Sequence, residues 1–153
     1  MEQSSSDIGS DIVDDELINK IKKINNKLFV TQIMNDNFTL PRENPFGPIE
    51  YKRTLVECDD IKCEKYATQM QWRITQNSKN NIANYYIGVD DDGTINGLSN
   101  EEIIKCIQNF LKIISIIEAS IQSINIIYTK NNNRILRINV KKKKLNDCYL
   151  TDF

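Results

Sequence analysis

Two hydrophobic periods alternate along the chain, and they predict its elements. From Ile12 to Leu28, apolar residues fall at Val13, Leu17, Ile21, Ile24 and Leu28, a helical spacing. Asp14, Asp15 and Glu16 sit in the first turn and lysines follow, as the helix dipole favours. The stretch IEYKRTLV (49–56) alternates Ile49, Tyr51, Arg53 and Leu55 against Glu50, Lys52, Thr54 and Val56, and predicts a strand. Asp59 or Asp60 can cap a helix running to Ile74, with Cys63, Tyr66, Ala67, Met70 and Ile74 on one face. Ser99-Asn100-Glu101-Glu102 is a capping box before a second apolar face of Ile103, Ile107, Phe110, Leu111, Ile114, Ile117 and Ile121. INIIYTK and RILRINVKK, separated by NNN, predict a terminal hairpin.

Between the two helices lies YYIGVDDDGTINGL (85–98), with three adjacent carboxylates among glycines. As a phosphate loop it fails, because Gly88 and Gly93 are followed by Thr94 and Ile95 where Lys and Ser/Thr are needed, and Asp90, Asp91 and Asp92 would repel the anion. As a calcium loop it also fails: with Gly93 at the central position, Gly88 and Ser99 stand where the anchoring carboxylates belong. Asp92-Gly93 is instead a strong two-residue turn signal between two short strands.

The predicted order is therefore β-α-β-β-α-β-β. This is an α+β fold, a single two-layer domain with both helices on one face of a small sheet, preceded by a helical N-terminal arm. The prolines Pro41, Pro45 and Pro48 all fall in the connector NDNFTLPRENPFGP. Residues 1–48 thus read as an acidic tail, expected to be disordered at its Ser/Asp-rich start, then an amphipathic helix and a Pro-containing linker; 49–145 form the compact unit and 146–153 a C-terminal tail.

Composition narrows the chemistry. A chain of 153 residues with 40% hydrophobic and 27% charged residues suits one globular domain. The net charge of −1 exerts no global pull toward nucleic acid or membrane, so any such affinity needs a local patch. No apolar run approaches the roughly 18 residues that span a bilayer, and the acidic N-terminus is unlike a leader, so the expected location is cytoplasmic, with no membrane contact. There is no histidine, which removes histidine general-base, nucleophile-activating and metal-ligating chemistry. The cysteines at 58, 63, 106 and 148 contain no C-x-x-C, and reduced, buried thiols are expected rather than a metal site. No cofactor is implied.

Three pieces in order, IEYKRTLV, TQMQWRI and YYIGVDDDGTINGLSNEEI, together resemble the segment preceding the GTPase domain in the GTP-binding protein 1/GTP-binding protein 2 family of translational GTPases. Tyr51, Lys52, Gln69, Met70, Trp72, Arg73, Gly88, Val89, Asp91, Gly93, Gly97 and Leu98 carry the likeness over residues 49–140. The family's GTPase motif, G-x-x-x-x-G-K-[ST], does not occur here. The resemblance thus implies a non-enzymatic accessory domain, either standing alone or as the front part of a split gene. It would bind RNA, a ribosome-associated factor or another protein, and no nucleotide. A weaker resemblance, carried by Glu50-Tyr51-Lys52-Arg53 and IGVDDDG, is to the AlbA-type domain of Schlafen proteins. It implies a metal-dependent RNA nuclease using Glu50 and Asp90, with Pro45 standing where a third carboxylate belongs and Glu43 out of register.

Lys141, Lys142, Lys143 and Lys144 form the concentrated positive run, and Lys52, Arg53 and Arg73 are expected to extend it into an RNA- or partner-binding patch. On a strand, alternate lysines point to opposite faces, and as an edge such a run also guards against aggregation. Trp72 could stack a base or pack at an interface. The helix LINKIKKINNKLF could dock a partner or a second copy of the chain, leaving homo-oligomers open.

Overall fold

The computed structural model describes residues 14–77 and 79–143. Within them the order is α1 (Asp15–Ile24), β1 (Val30–Met34), β2 (Ile49–Lys52), α2 (Asp60–Thr75), β3 (Ile82–Ile87), α3 (Asn100–Ile116), β4 (Ala119–Tyr128) and β5 (Arg134–Lys142). The strands form one mixed sheet in the order β1-β4-β5-β3-β2. The inner strands β4, β5 and β3 are antiparallel, whereas the edges β1 and β2 run parallel to β4 and β3. The expected α+β class, with helices against one face of a small sheet, is what the structure shows.

The helices start where their caps dictate. Asp59 Oδ1 accepts from the Lys62 amide at 2.8 Å and opens α2. The Ser99–Glu102 box closes in both directions, at 3.1 and 2.8 Å, and opens α3. Leu17 and Ile21 of α1, Ala67, Met70 and Ile74 of α2, and Ile103, Ile107 and Phe110 of α3 bury together against Ala83, Tyr85, Ile87, Ile124, Ile126, Leu136, Ile138 and Val140 of the sheet. Strand alternation sends the intervening residues to the opposite, open face. There Tyr51, Val89, Ile127 and Ile135 make a smaller cluster, covered by Phe38 and Leu40.

Several expectations are corrected. The segment expected to be an arm and linker is part of the body: α1 shares the main core, and residues 30–34 form an edge strand. Its helix also spans less than 12–28. Second, β2 ends at Lys52, and the following loop is held by α3. Asn109 Nδ2 donates to the Leu55 and Val56 carbonyls at 2.6 and 3.0 Å, and Lys112 Nζ to the Cys58 carbonyl at 3.1 Å. Third, no strand follows the Asp92-Gly93 turn; the return makes a single bridge, Val89 to Ile95. Ile121, expected on α3, lies in β4, because Glu118 adopts φ 55° and ends the helix first. Fourth, Cys58 and Cys63 are joined as a disulfide, since the turn into α2 brings their Cα atoms to 5.5 Å, within the roughly 4.4–6.8 Å that such a bond spans. Cys106 is a buried free thiol, raised in pKa chiefly by that burial.

Candidate nucleic-acid interface

The last strand carries its lysines to one end of the sheet. Lys141 pairs in register with Ile82 and Ser120 and is half-buried, while Lys142 and Lys143 are exposed. The α2–β3 turn closes over them: Asn81, at φ 55°, accepts from the Lys142 amide at 3.2 Å, and Glu118 accepts from the Lys143 amide at 3.2 Å. The turn brings in Lys79 and Asn80, so a cleft of about 340 Å³ is lined by Lys79, Lys141, Lys142 and Lys143 with Asn80, Asn81 and Ile82. Among the described residues no carboxylate lies within 4.0 Å of any of the four amines. Unopposed like charges around one cleft raise the local positive potential and attract a polyanion. Lys144 lies outside the described residues. Sequence reasoning missed Lys79, whose one signal is its place in the polar turn TQNSKNN before β3.

The other expected cations go elsewhere. Arg73 is 4% exposed. Its Nε donates to Glu50 Oε1 at 2.9 Å, its Nη1 donates to the Gly47 and Asn44 carbonyls at 2.9 and 3.2 Å, and its Nη2 lies 3.6 Å from Glu43. It is therefore a structural ion, closed to phosphate. Lys52 donates to Gln69 at 3.0 Å and lies over the Tyr66 ring at 4.4 Å; burial lowers its pKa, against the pull of Glu50. Arg53 is exposed, 4.0 Å from Asp90. Trp72 is half-exposed, with the Arg73 guanidinium 5.0 Å from its ring centroid.

Glu50 thus faces Arg73 and Lys52, whereas Asp90 faces Arg53. Glu43 accepts from the Tyr51 amide at 2.6 Å; burial and the neighbouring Glu50 charge raise its pKa. Among the described residues no three carboxylates or thiols converge as a metal ion requires. The acidic glycine motif is a turn: the Asp90 amide donates to Thr94 and the Gly93 amide to Asp90, each at 2.9 Å, and Asp92 Oδ1 accepts from the Thr94 amide at 2.9 Å. The Asp92 carboxyl is held below its ordinary pKa by those Thr94 hydrogen bonds. No described helix is long and apolar enough to cross a membrane.

Fold and surface together define a small α+β domain with a cationic sheet end. The chain is 54% identical over 121 residues to an uncharacterized protein of Acanthamoeba polyphaga mimivirus, an alignment covering 79% of this chain and 64% of that one. It is 41% identical over 64 residues to GTP-binding protein 2 of human and of mouse, covering 42% of this chain and 10% of each relative. The chain therefore spans less than two thirds of the length of the curated relatives it matches. No family model matches, and no solved structure matches.

Proposed function

We propose that this domain is a non-catalytic accessory module that binds RNA, related to the region preceding the GTPase in GTP-binding protein 2-like translation factors. The observation that carries this reading is the cleft of Lys79, Lys141, Lys142 and Lys143, four cations with no described carboxylate in reach. Backbone phosphates suit such a site because each neutralised phosphate releases condensed counterions. GTP binding is not carried over, since the chain has no G-x-x-x-x-G-K-[ST]. The partial likeness to GTP-binding protein 2 supports a setting in translation for this reading.

The test is fluorescence anisotropy of labelled single-stranded RNA with the full chain across a salt series. Changing Lys79, Lys141, Lys142 and Lys143 to Gln is expected to weaken binding at least tenfold. It should flatten the salt dependence by about 0.7 in log–log slope per lysine that contacts a phosphate. A wild-type chain that binds no RNA at low salt overturns the reading. So does metal-dependent cleavage of the RNA that Asp90→Asn abolishes, the outcome expected of a Schlafen-like nuclease. The commitment of Glu50 to Arg73 at 2.9 Å favours the binding module over that nuclease.

A further inference from the structure

We infer that the open face of the sheet receives the bases of a single-stranded RNA segment whose phosphates lie in the lysine cleft. The inference rests on the RNA-binding reading and adds where the bases go.

Register places three rungs on β3 and β5, running from the border of the covered end of that face to the cleft. Tyr86 stands opposite Arg137, Asn84 opposite Asn139, and Ile82 opposite Lys141. Directly opposed side chains on one face are close enough to act together. The first rung, at the border of the covered end where Phe38 and Tyr51 pack 6.1 and 5.9 Å from the Tyr86 ring, sets an aromatic ring beside a planar guanidinium, the two groups on which unpaired bases stack. The second offers the Asn84 side-chain amide, which can both donate to and accept from a base edge, whereas Asn139 Oδ1 is buried without a partner. The third delivers the strand to the cations.

The polar groups on this face are held but not exhausted. Asn125 takes the Arg137 Nε at 2.9 Å and donates to Thr31 Oγ1 at 2.6 Å, which orients the guanidinium. Asn139 Nδ2 donates to Ser123 at 3.1 Å. Among the described residues, both Nη atoms of Arg137, the Asn84 side-chain amide and the Tyr86 hydroxyl have no hydrogen-bond partner, and all three residues are half-buried.

Charge names the occupant. The chain holds 21 Asp and Glu residues, yet the open-face strand positions carry Arg137 and Lys141 and no carboxylate. A face that was polar only to meet water would tolerate either sign. One that excludes anions and runs into a lysine cleft is complementary to a polyanion with planar, hydrogen-bonding bases. Duplex RNA keeps its bases stacked inside, so it can use the cleft but not the rungs.

Asn84→Asp and Arg137→Gln, each with circular dichroism to confirm folding, are compared on single-stranded RNA and on a duplex of the same sequence. Each variant is expected to lose at least tenfold in affinity for the single strand while duplex affinity stays within twofold. 4-Thiouridine in the single strand should crosslink to peptides covering 82–87 and 134–140. Equal losses on both RNAs, unchanged single-strand affinity, or crosslinks confined to 79–81 and 141–143 overturn the base platform while leaving the lysine-cleft reading standing. No RNA binding by the wild type overturns both.

Discussion

One guanidinium joins three pieces of chain that the sequence presents separately. Arg73 lies next to Ile74 on the buried side of α2, and its partners Glu43, Asn44, Gly47 and Glu50 all precede Arg73 itself by more than twenty residues. Helical spacing therefore marks the position but not the charge pairing, and an arginine that looked available for phosphate is spent inside. The same cluster makes stability depend on pH. Glu43 has a folded pKa above its ordinary 4.5, so its contribution is fully present at pH below 4.5 and is lost as pH rises through the folded value. Glu43→Gln keeps an acceptor for the Tyr51 amide without the charge. In urea unfolding from pH 4 to pH 8, the variant is expected to gain on the wild type as pH rises; a gap that stays constant or closes would contradict this assignment.

At the scale of elements, what was legible was local. Both N-caps, the terminal hairpin and the aspartate-glycine turn depend on neighbours within a few residues, and each stands where the pattern put it. The edge strand β1 depends on β4, with Thr31 bonded to Asn125 ninety-four positions away, and its five residues VTQIM carry too short a pattern to announce it. Ile121 continued a helical apolar period, and no glycine or proline marked the break at Glu118. The Asp92-Gly93 turn owes its glycine to geometry: at φ +95° a Cβ on Gly93 would collide with the Leu40 carbonyl oxygen and stand 2.8 Å from that of Pro41. Gly93→Ala is thus expected to cost about 1–3 kcal/mol, from strained backbone and displaced linker, read as a lower urea midpoint with unchanged slope. No loss would mean the linker does not pack on this turn.

For the molecule as a whole, the segment ahead of the compact unit belongs to the fold. Leu17 and Ile21 are 1% and 0% exposed in the core they share with α3. Leu17→Ala should therefore destabilise the entire domain by about 2–5 kcal/mol in chemical unfolding, as a buried leucine does, where a detached arm would leave stability unchanged. The candidate interface was legible only in part. The lysine run is visible as composition, but Lys79 joins it through a turn, and the rungs of the open face follow from register that a one-dimensional pattern does not encode.

The linker that carries the chain from β1 at one edge to β2 at the other crosses the end of the sheet away from the lysines. Phe38 and Leu40 press there on Ile127, Ile135 and Tyr86, and Pro41 accepts from the Tyr51 hydroxyl at 2.8 Å. A strand lying on this floor meets a wall on one side and an open doorway on the other. Its two ends are then inequivalent, and the protein would impose a direction on whatever it holds.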